Sequence, residues 1–508
     1  MEVVFGERKM KNLNKWLGRT AYQLMPDRFF NVGGLPGVIG KNPNGRILKD
    51  WNDRMPNWQP NEKGEYTNDY YYGGNLKGII AKLDYLKELG FDMIYITPIE
   101  LSESYHHYNP SEQEKIDSWL GTWDDLKELC NEAHKRDMLI MCDMVFNHTG
   151  ESPYKYDPKK KQWYKRNADG SYSLWWGFPG MYEVNLDDKT YQQAMKKVLL
   201  KYLSCGVDGF RFDLGENYTK SFLLVMQEIK DEYPEAIIVL EMWGSAYDKG
   251  LENGKIFDGQ ADSVMNYPLS DAILRWTRWG AYTHFSYWFE NVYKHYPKEV
   301  QDVLLNNIAT HDTPNTLTML VGDKMNSSVF NGAIWDIESP WRHENSFDTY
   351  AFRKFEADND TLSREKYELG KKLTRIATAI MYTIPGIPCV YQGTEISEMG
   401  YKDPFNRKPY DWSRQNEQEM KDFFKGIGTF RKNNKDILAE GYTRLLSIDE
   451  NVLMLERYIE DKSLILAVNR KSEQKEIHIP DDYKEIYGIY DSNKHRLNPY
   501  GIVIARKN

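Results

Sequence analysis

The sequence predicts an α/β protein built as a (β/α)8 barrel, with a small inserted lobe after the third strand and a C-terminal antiparallel β domain. Three observations carry that reading. Short apolar runs alternate with stretches of helical spacing, eight times over. Several of these runs end in acidic or other polar residues, at the strand ends where such barrels build their sites. Beyond residue 438 the helical spacing gives way to short alternating or apolar runs separated by turn residues.

Residues 19–25 form the first predicted strand, stopped by Pro26-Asp27. Residues 31–75 are rich in Gly, Pro, Asn and Trp and read as a long loop. Ile79, Leu83 and Leu86 then repeat at helical spacing, closed by Gly90 as a C-cap. Residues 91–97 give the second strand, ended by Pro98, and a loop with His106, His107 and Tyr108 follows. Thr122 with Asp125 resembles a capping box, and Leu126, Leu129 and Ala133 stripe the helix behind it. Residues 138–142 form the third strand, running into Asp143 with Asn147-His148 beyond. The following stretch is polar and aromatic and too long for an ordinary βα loop, so it is expected to be an inserted lobe.

A helix resumes over 191–203. Residues 207–213 and 236–241 then make a strand–helix–strand unit whose strands end in Asp213 and Glu241. Phe222, Val225, Met226 and Ile229 supply the helical stripe between them. Such a unit requires parallel strands and a right-handed crossover. Taken singly, Asp213 and Glu241 could serve as helix N-caps. Arg211 lies two residues before Asp213, on the same face of its strand, and an Arg there keeps the carboxylate ionised as a nucleophile must be. Residues 262–266, 303–310 and 387–391 complete the eight strands, and 303–310 runs into His311-Asp312. The helix near 418–437 is followed by runs at 452–458, 463–469, 476–479, 486–490 and 502–505. The expected division is a barrel over 1–146 and 190–438, a lobe over 147–189 and a β-sandwich over 439–508.

The 508-residue chain carries a net charge of −9, and its one short basic run is Lys159-Lys160-Lys161, so nucleic acid is not an expected partner. No stretch approaches membrane-spanning length, and residues 1–20 are charged rather than apolar. The four cysteines, Cys130, Cys142, Cys205 and Cys389, sit far apart in apolar or helical contexts and are expected as buried free thiols, which suits the cytoplasm.

Four strings bring these strand ends together: Asp143-Met-Val-Phe-Asn147-His148, Gly209-Phe-Arg211-Phe-Asp213, Glu241-Met-Trp243 and Thr310-His311-Asp312. In type and order they resemble the hallmark strings of the α-amylase family, glycoside hydrolase family thirteen. Tyr72-Gly73-Gly74-Asn75-Leu76-Lys77-Gly78-Ile79 and Gly386-Ile387-Pro388 add to the likeness. Trp175-Trp176-Gly177 with the run 262–268 looks closest to the neopullulanase, cyclomaltodextrinase and maltogenic amylase group.

The resemblance implies a retaining hydrolase of maltodextrins, cyclodextrins or starch oligosaccharides. It makes Asp213 the nucleophile, Glu241 the acid and base, and Asp312 the third acid. Glu241 should then have its pKa raised by burial and by the charge of Asp213. The resemblance further implies that Tyr108, His148, Arg211 and His311 bind the reacting sugar. Asp403 and Arg407 would hold the next sugar out, or else form a structural ion pair. A 4-α-glucanotransferase with the same acids, and a barrel that binds glucan without catalysis, are the alternatives.

No other cofactor is implied. Asn147 is a calcium candidate, its alternative role being to hold its loop by hydrogen bonds. The loop after Asp27-Arg28-Phe29 has too few carboxylates for a cation that wants six or more oxygens, and Asn75 stands where the group has an Asp. Leu214-Gly215-Glu216-Asn217 lacks the Lys-His that many endo-acting relatives carry there, and Met181-Tyr182-Glu183-Val184-Asn185 follows the usual pattern only loosely. The leaving-group side is where this chain is expected to differ. Linkage preference, endo or exo action and oligomeric state are left open by the sequence.

Overall fold

The computed structural model describes residues 13–33, 40–41, 46–62, 64, 66–67, 69–246, 260–322, 350–488, 490–491 and 495–507. Eight parallel strands form one sheet. They are β1 (Ala21–Leu24), β2 (Met93–Ile96), β3 (Leu139–Met144), β4 (Gly209–Phe212), β5 (Ile237–Leu240), β6 (Ser263–Val264), β7 (Leu305–Asn307) and β8 (Ile387–Tyr391). The spatial order is β6-β5-β4-β3-β2-β1-β8-β7, and a parallel bridge between Met265 and Leu305 brings the two edges together. Six of the strands are shorter than their apolar runs predict, and β8 has the predicted bounds. β3 runs one residue past Asp143 to Met144, so Asp143 is a strand residue facing the lumen.

Strict alternation sorts the strand residues into two cores. Ile94, Ile96, Ile140, Cys142, Phe210, Phe212, Ile238 and Leu240 point outward into the layer packed by the helices. Met93, Tyr95, Leu139, Met141, Ile237, Val239, Leu305, Ile387 and Cys389 point into the barrel. Trp16, fully buried, closes the N-terminal end of the lumen, its indole Nε1 donating to the carbonyl of Glu235 at 2.8 Å. Gly209 admits that ring: a Cβ there would lie 2.4 Å from Ile237 Cγ2 and 3.1 Å from the indole. The apolar plug leaves only the other end free to carry polar side chains.

The helical stripes fall where the spacing predicts. The first is two short helices, α1 (Leu76–Ala81) and α2 (Leu83–Glu88), broken at Lys82. α3 (Trp123–His134) has the expected capping box between Thr122 and Asp125. α4 (Lys189–Ser204) and α5 (Lys220–Glu232) flank β4, and α6 (Tyr267–Trp279) and α7 (Tyr282–His295) follow β6. α8 (Arg364–Thr383) precedes β8, and α9 (Gln418–Asn433) follows it. All four cysteines are buried free thiols. Among the described residues, no helix is long and apolar enough to cross a membrane.

The chain ends in a five-stranded antiparallel sheet. Its strands are β9 (Tyr442–Ile448), β10 (Val452–Ile459), β11 (Lys462–Asn469), β12 (Lys484–Gly488) and β13 (Ile502–Lys507), ordered β9-β10-β11-β13-β12. β9 has no counterpart in the sequence reading because most of its residues stay partly exposed and give no apolar run. The run at 476–479 is strand only at Lys475–Glu476, in a small second sheet packed over Met454, Ile465 and Val503.

The inner face of the large sheet meets the barrel through Arg457, which is fully buried. Its guanidinium donates to the carbonyls of Thr383 (2.8 Å), Gly441 (2.8 Å), Leu438 (3.1 Å), Tyr442 (3.2 Å) and Ile437 (3.3 Å). It thus satisfies the carbonyls left over at the C-terminal ends of α8 and of the short helix Lys435–Leu438. Burial pulls this guanidinium down to about 9. Arg457→Leu is expected to cost about 3 kcal/mol or more, since several charge-assisted hydrogen bonds go at once and their acceptors stay buried. An unchanged urea midpoint would refute that role.

Candidate active site

Polar side chains enter the lumen at the carboxyl ends of the strands, and one cation gathers them. Arg211 on β4 stands in register with Asp143 on β3 and with Val239 on β5. Strand alternation therefore aims Arg211 and Asp143 into the same space. Arg211 Nη1 lies 2.6 and 2.8 Å from the two oxygens of Asp143 and 3.1 Å from Oδ1 of Asp213, while Nη2 lies 2.8 Å from Oε1 of Glu241. The sequence reading paired Arg211 with Asp213; the structure gives it Asp143 as the closest partner and Glu241 as a third. Because one planar guanidinium touches both, Asp213 and Glu241 present oxygens no more than about 8 Å apart.

The chain beyond β4 fixes this pair. Leu214 takes a left-handed conformation (φ 45°), uncommon for such a side chain, and its N–H donates to Glu241 Oε2 at 2.7 Å. Gly215 N donates to the Glu241 carbonyl at 2.8 Å. A Cβ on Gly215 would meet Leu240 Cβ at 2.6 Å, so only glycine lets these two strand ends approach so closely. Asn147 Nδ2 donates to the carbonyl of Asp213 at 2.9 Å.

Asp312 sits across the cleft. His311 Nε2 lies 2.9 Å from Asp312 Oδ2, and Arg407 Nη2 donates to Oδ1 at 3.0 Å. Arg407 Nε and Asn406 Nδ2 also hold the His311 carbonyl, at 2.8 and 2.7 Å, and Gln23 on β1 contacts His311 Nδ1 at 3.0 Å. Tyr108 stacks on His311 with ring centroids 4.7 Å apart and planes 7° from parallel, and its hydroxyl donates to Asp143 at 2.7 Å. His148 Nε2 lies 2.7 Å from the Tyr108 carbonyl. Asp403 pairs with Arg407 at 3.3 Å and accepts from the Tyr105 hydroxyl at 2.8 Å. All nine site residues named from the sequence thus belong to one connected polar network or line it.

The network also includes residues that sequence reasoning did not name as site residues. Asp143 accepts from Tyr95 at 2.6 Å as well as from Tyr108 and Arg211. Gln23 is a polar residue inside an apolar strand, a signal available in the sequence. Asn406 and Tyr105 carried no such signal, since loop polar residues are common.

Burial governs the titrations. It pushes Glu241 up to about 7, against the pull of Arg211 and with help from the charges of Asp312 and Asp143. Asp213 and Glu241 also repel each other. Asp213 is pushed well above the ordinary carboxylate range, first by burial and then by Glu241. Two acids that share a guanidinium titrate as a pair, and burial raises both. Asp312 goes the other way: burial would raise it, but His311 and Arg407 outweigh burial and hold it well below its ordinary value. Burial also lowers His148, to about 4, so its ring is neutral at pH 7.

Asn147 Nδ2 donates to the Asp213 carbonyl, and its Oδ1 lies 2.7 Å from His148 Nδ1. Gly34, Leu35 and Pro36 of the N-terminal loop lie outside the described residues. His106 and His107 diverge: His107 faces Asp117 at 3.1 Å, and His106 Nδ1 accepts from the Tyr108 N–H at 3.0 Å. Among the described residues, no group of three or more His, Cys, Asp or Glu could hold a metal ion.

Residues 23–167 match the family described as "Alpha amylase, catalytic domain". The chain is 27% identical to the amylopullulanase of Thermoanaerobacterium saccharolyticum, across 92% of this chain and 39% of that protein. It is 28% identical to the cyclomaltodextrinase of Geobacillus thermopakistaniensis, across 92% and 71% respectively. The chain spans well under half the length of the amylopullulanases it matches. The fold resembles that of the type III pullulan hydrolase from Thermococcus kodakarensis, with a TM-score of 0.77 and 24% identity over 97% of this chain and 82% of that one.

Replacing Arg211 by Met leaves three buried carboxylates without their cation. The expected loss is about 3–5 kcal/mol of stability at pH 7. It should be smaller at pH 5, where the freed carboxylates take up protons and shed their unpaired charge. Urea unfolding at the two pH values tests this, and equal losses would count against it.

Proposed function

We propose that this chain, whose residues 23–167 match the alpha-amylase catalytic-domain family, is a retaining α-glucan hydrolase that cleaves α-glucosidic bonds of maltodextrins, cyclodextrins or starch oligosaccharides. The observation that carries this reading is the pair Asp213 and Glu241, on adjacent strand ends and bridged by one buried guanidinium. Double displacement needs two carboxyl groups about 5–5.5 Å apart, one ionised and one protonated, and the bound set by Arg211 accommodates that spacing. In this reading the barrel, 1–146 and 190–438, carries the chemistry, the lobe 147–189 walls the cleft, and 439–508 braces the barrel.

Glu241 donates its proton to the glycosidic oxygen as the bond from C1 to that oxygen breaks. Asp213 Oδ attacks C1 and forms a β-glycosyl ester. Glu241, now ionised, takes a proton from water, the water oxygen attacks C1, and the Asp213 carboxylate departs. Asp312, kept ionised by His311 and Arg407, accepts hydrogen bonds from sugar hydroxyls that strengthen as the ring flattens. Tyr108 offers its ring face to the sugar, and His148 and His311 its polar edge. Asp403 and Arg407 hold the next unit.

A sugar hydroxyl in place of water would make the same site a 4-α-glucanotransferase, and products longer than the substrate would identify that outcome. The four buried thiols support a cytoplasmic setting.

Asp213→Asn and Glu241→Gln should each lower kcat/KM on maltoheptaose by roughly 10²–10⁴-fold or more. Full activity in either variant would exclude the mechanism. In the wild type, kcat/KM should fall as pH rises through about 7, because Glu241 then loses the proton it must donate. A rate flat from pH 6 to 9 would contradict that role.

A further inference from the structure

A stack of three rings leads from the cleft to the surface of the lobe. His148 and Trp175 lie face to face at 4.7 Å and 18°, and Trp175 and Trp176 at 5.4 Å and 23°. His148 and Trp175 are buried, but Trp176 is 55% exposed, flanked by the exposed side chains of Leu174 and Phe178. Trp176 also holds a left-handed backbone (φ 51°, ψ 21°), which a bulky side chain rarely adopts. An indole both strained and left in water is a cost without a folding benefit, and strain of this kind collects at functional positions.

The turn is anchored to the cleft itself. Trp175 N donates to the Met181 carbonyl at 3.0 Å and Phe178 N to the Trp175 carbonyl at 3.0 Å. Strand Tyr182–Glu183 then pairs antiparallel with His148–Thr149, Glu183 opposite His148. The ribbon that positions His148 therefore positions Trp176.

We propose that Trp176 is a stacking platform for one glucosyl unit of the bound α-glucan, beyond the unit enclosed by Asp213, Glu241 and Asp312. The assignment rests on the α-glucan reading of the site. The apolar face of a glucose ring covers an indole face and restores the burial that folding withholds. The exposed Leu174 and Phe178 extend the apolar surface along the chain's path.

The test is the ratio of kcat/KM for maltoheptaose to that for maltotriose in Trp176→Gly and Trp176→Phe. Glycine adopts the left-handed backbone without strain, so the Gly variant removes the ring while relieving the turn, and its melting temperature should hold. The ratio should fall about tenfold in Trp176→Gly and stay near wild type in Trp176→Phe. An unchanged ratio in Trp176→Gly overturns the inference, as does an equal loss in the Phe variant. Wild-type protein that cleaves no α-glucan at all would overturn the functional reading itself, and this inference with it.

Discussion

One buried guanidinium sets the terms for the rest of the molecule. Arg211 is inaccessible to water, yet it must remain charged, so the barrel has to provide anions at its ends. Asp143, Asp213 and Glu241 do so from three adjacent strands, and the exchange works both ways. Without the cation, three acids could not be packed so closely. Without the acids, the cation could not be buried. The short strands, the αL turn at Leu214 and the glycine at 215 hold this arrangement.

The electrostatic asymmetry of the cleft follows from where the cations stop. Arg211 serves three carboxylates, and burial outweighs it at Glu241, whose pKa rises to about 7. Asp312 has His311 beside it and shares Arg407 with Asp403, and its pKa is held well below the ordinary value. A site with one acid able to donate and another held as an anion can cut a bond and stabilise the cationic ring that results. The Asn147 amide, bonded to Asp213 and beside His148, holds the end of β4.

Much of this was legible in the sequence because strand parity is rigid. Once Phe210 and Phe212 are read as outward, Arg211 and Asp213 must face in. Asp143 in the same register becomes a partner rather than a bystander. The pairing of Arg211 with three acids was not legible, because register between strands depends on the closed barrel and not on either strand alone. Tyr95 and Gln23 show the same limit: both lie inside strands, and only closure brings them to Asp143 and His311. At the C-terminal sheet, β9 escaped notice because its side chains remain half in water, and Arg457 gave no hint of the five carbonyls it would meet.

The account stands or falls on Asp213 attacking the sugar while Glu241 supplies the proton. The anomeric configuration of the first product released from maltoheptaose or β-cyclodextrin, followed by proton NMR before mutarotation, reads this directly. Double displacement predicts an α reducing end appearing first and relaxing slowly toward the equilibrium mixture. A β reducing end appearing first would mean that water attacks directly, and would contradict the assignment of Asp213 as nucleophile.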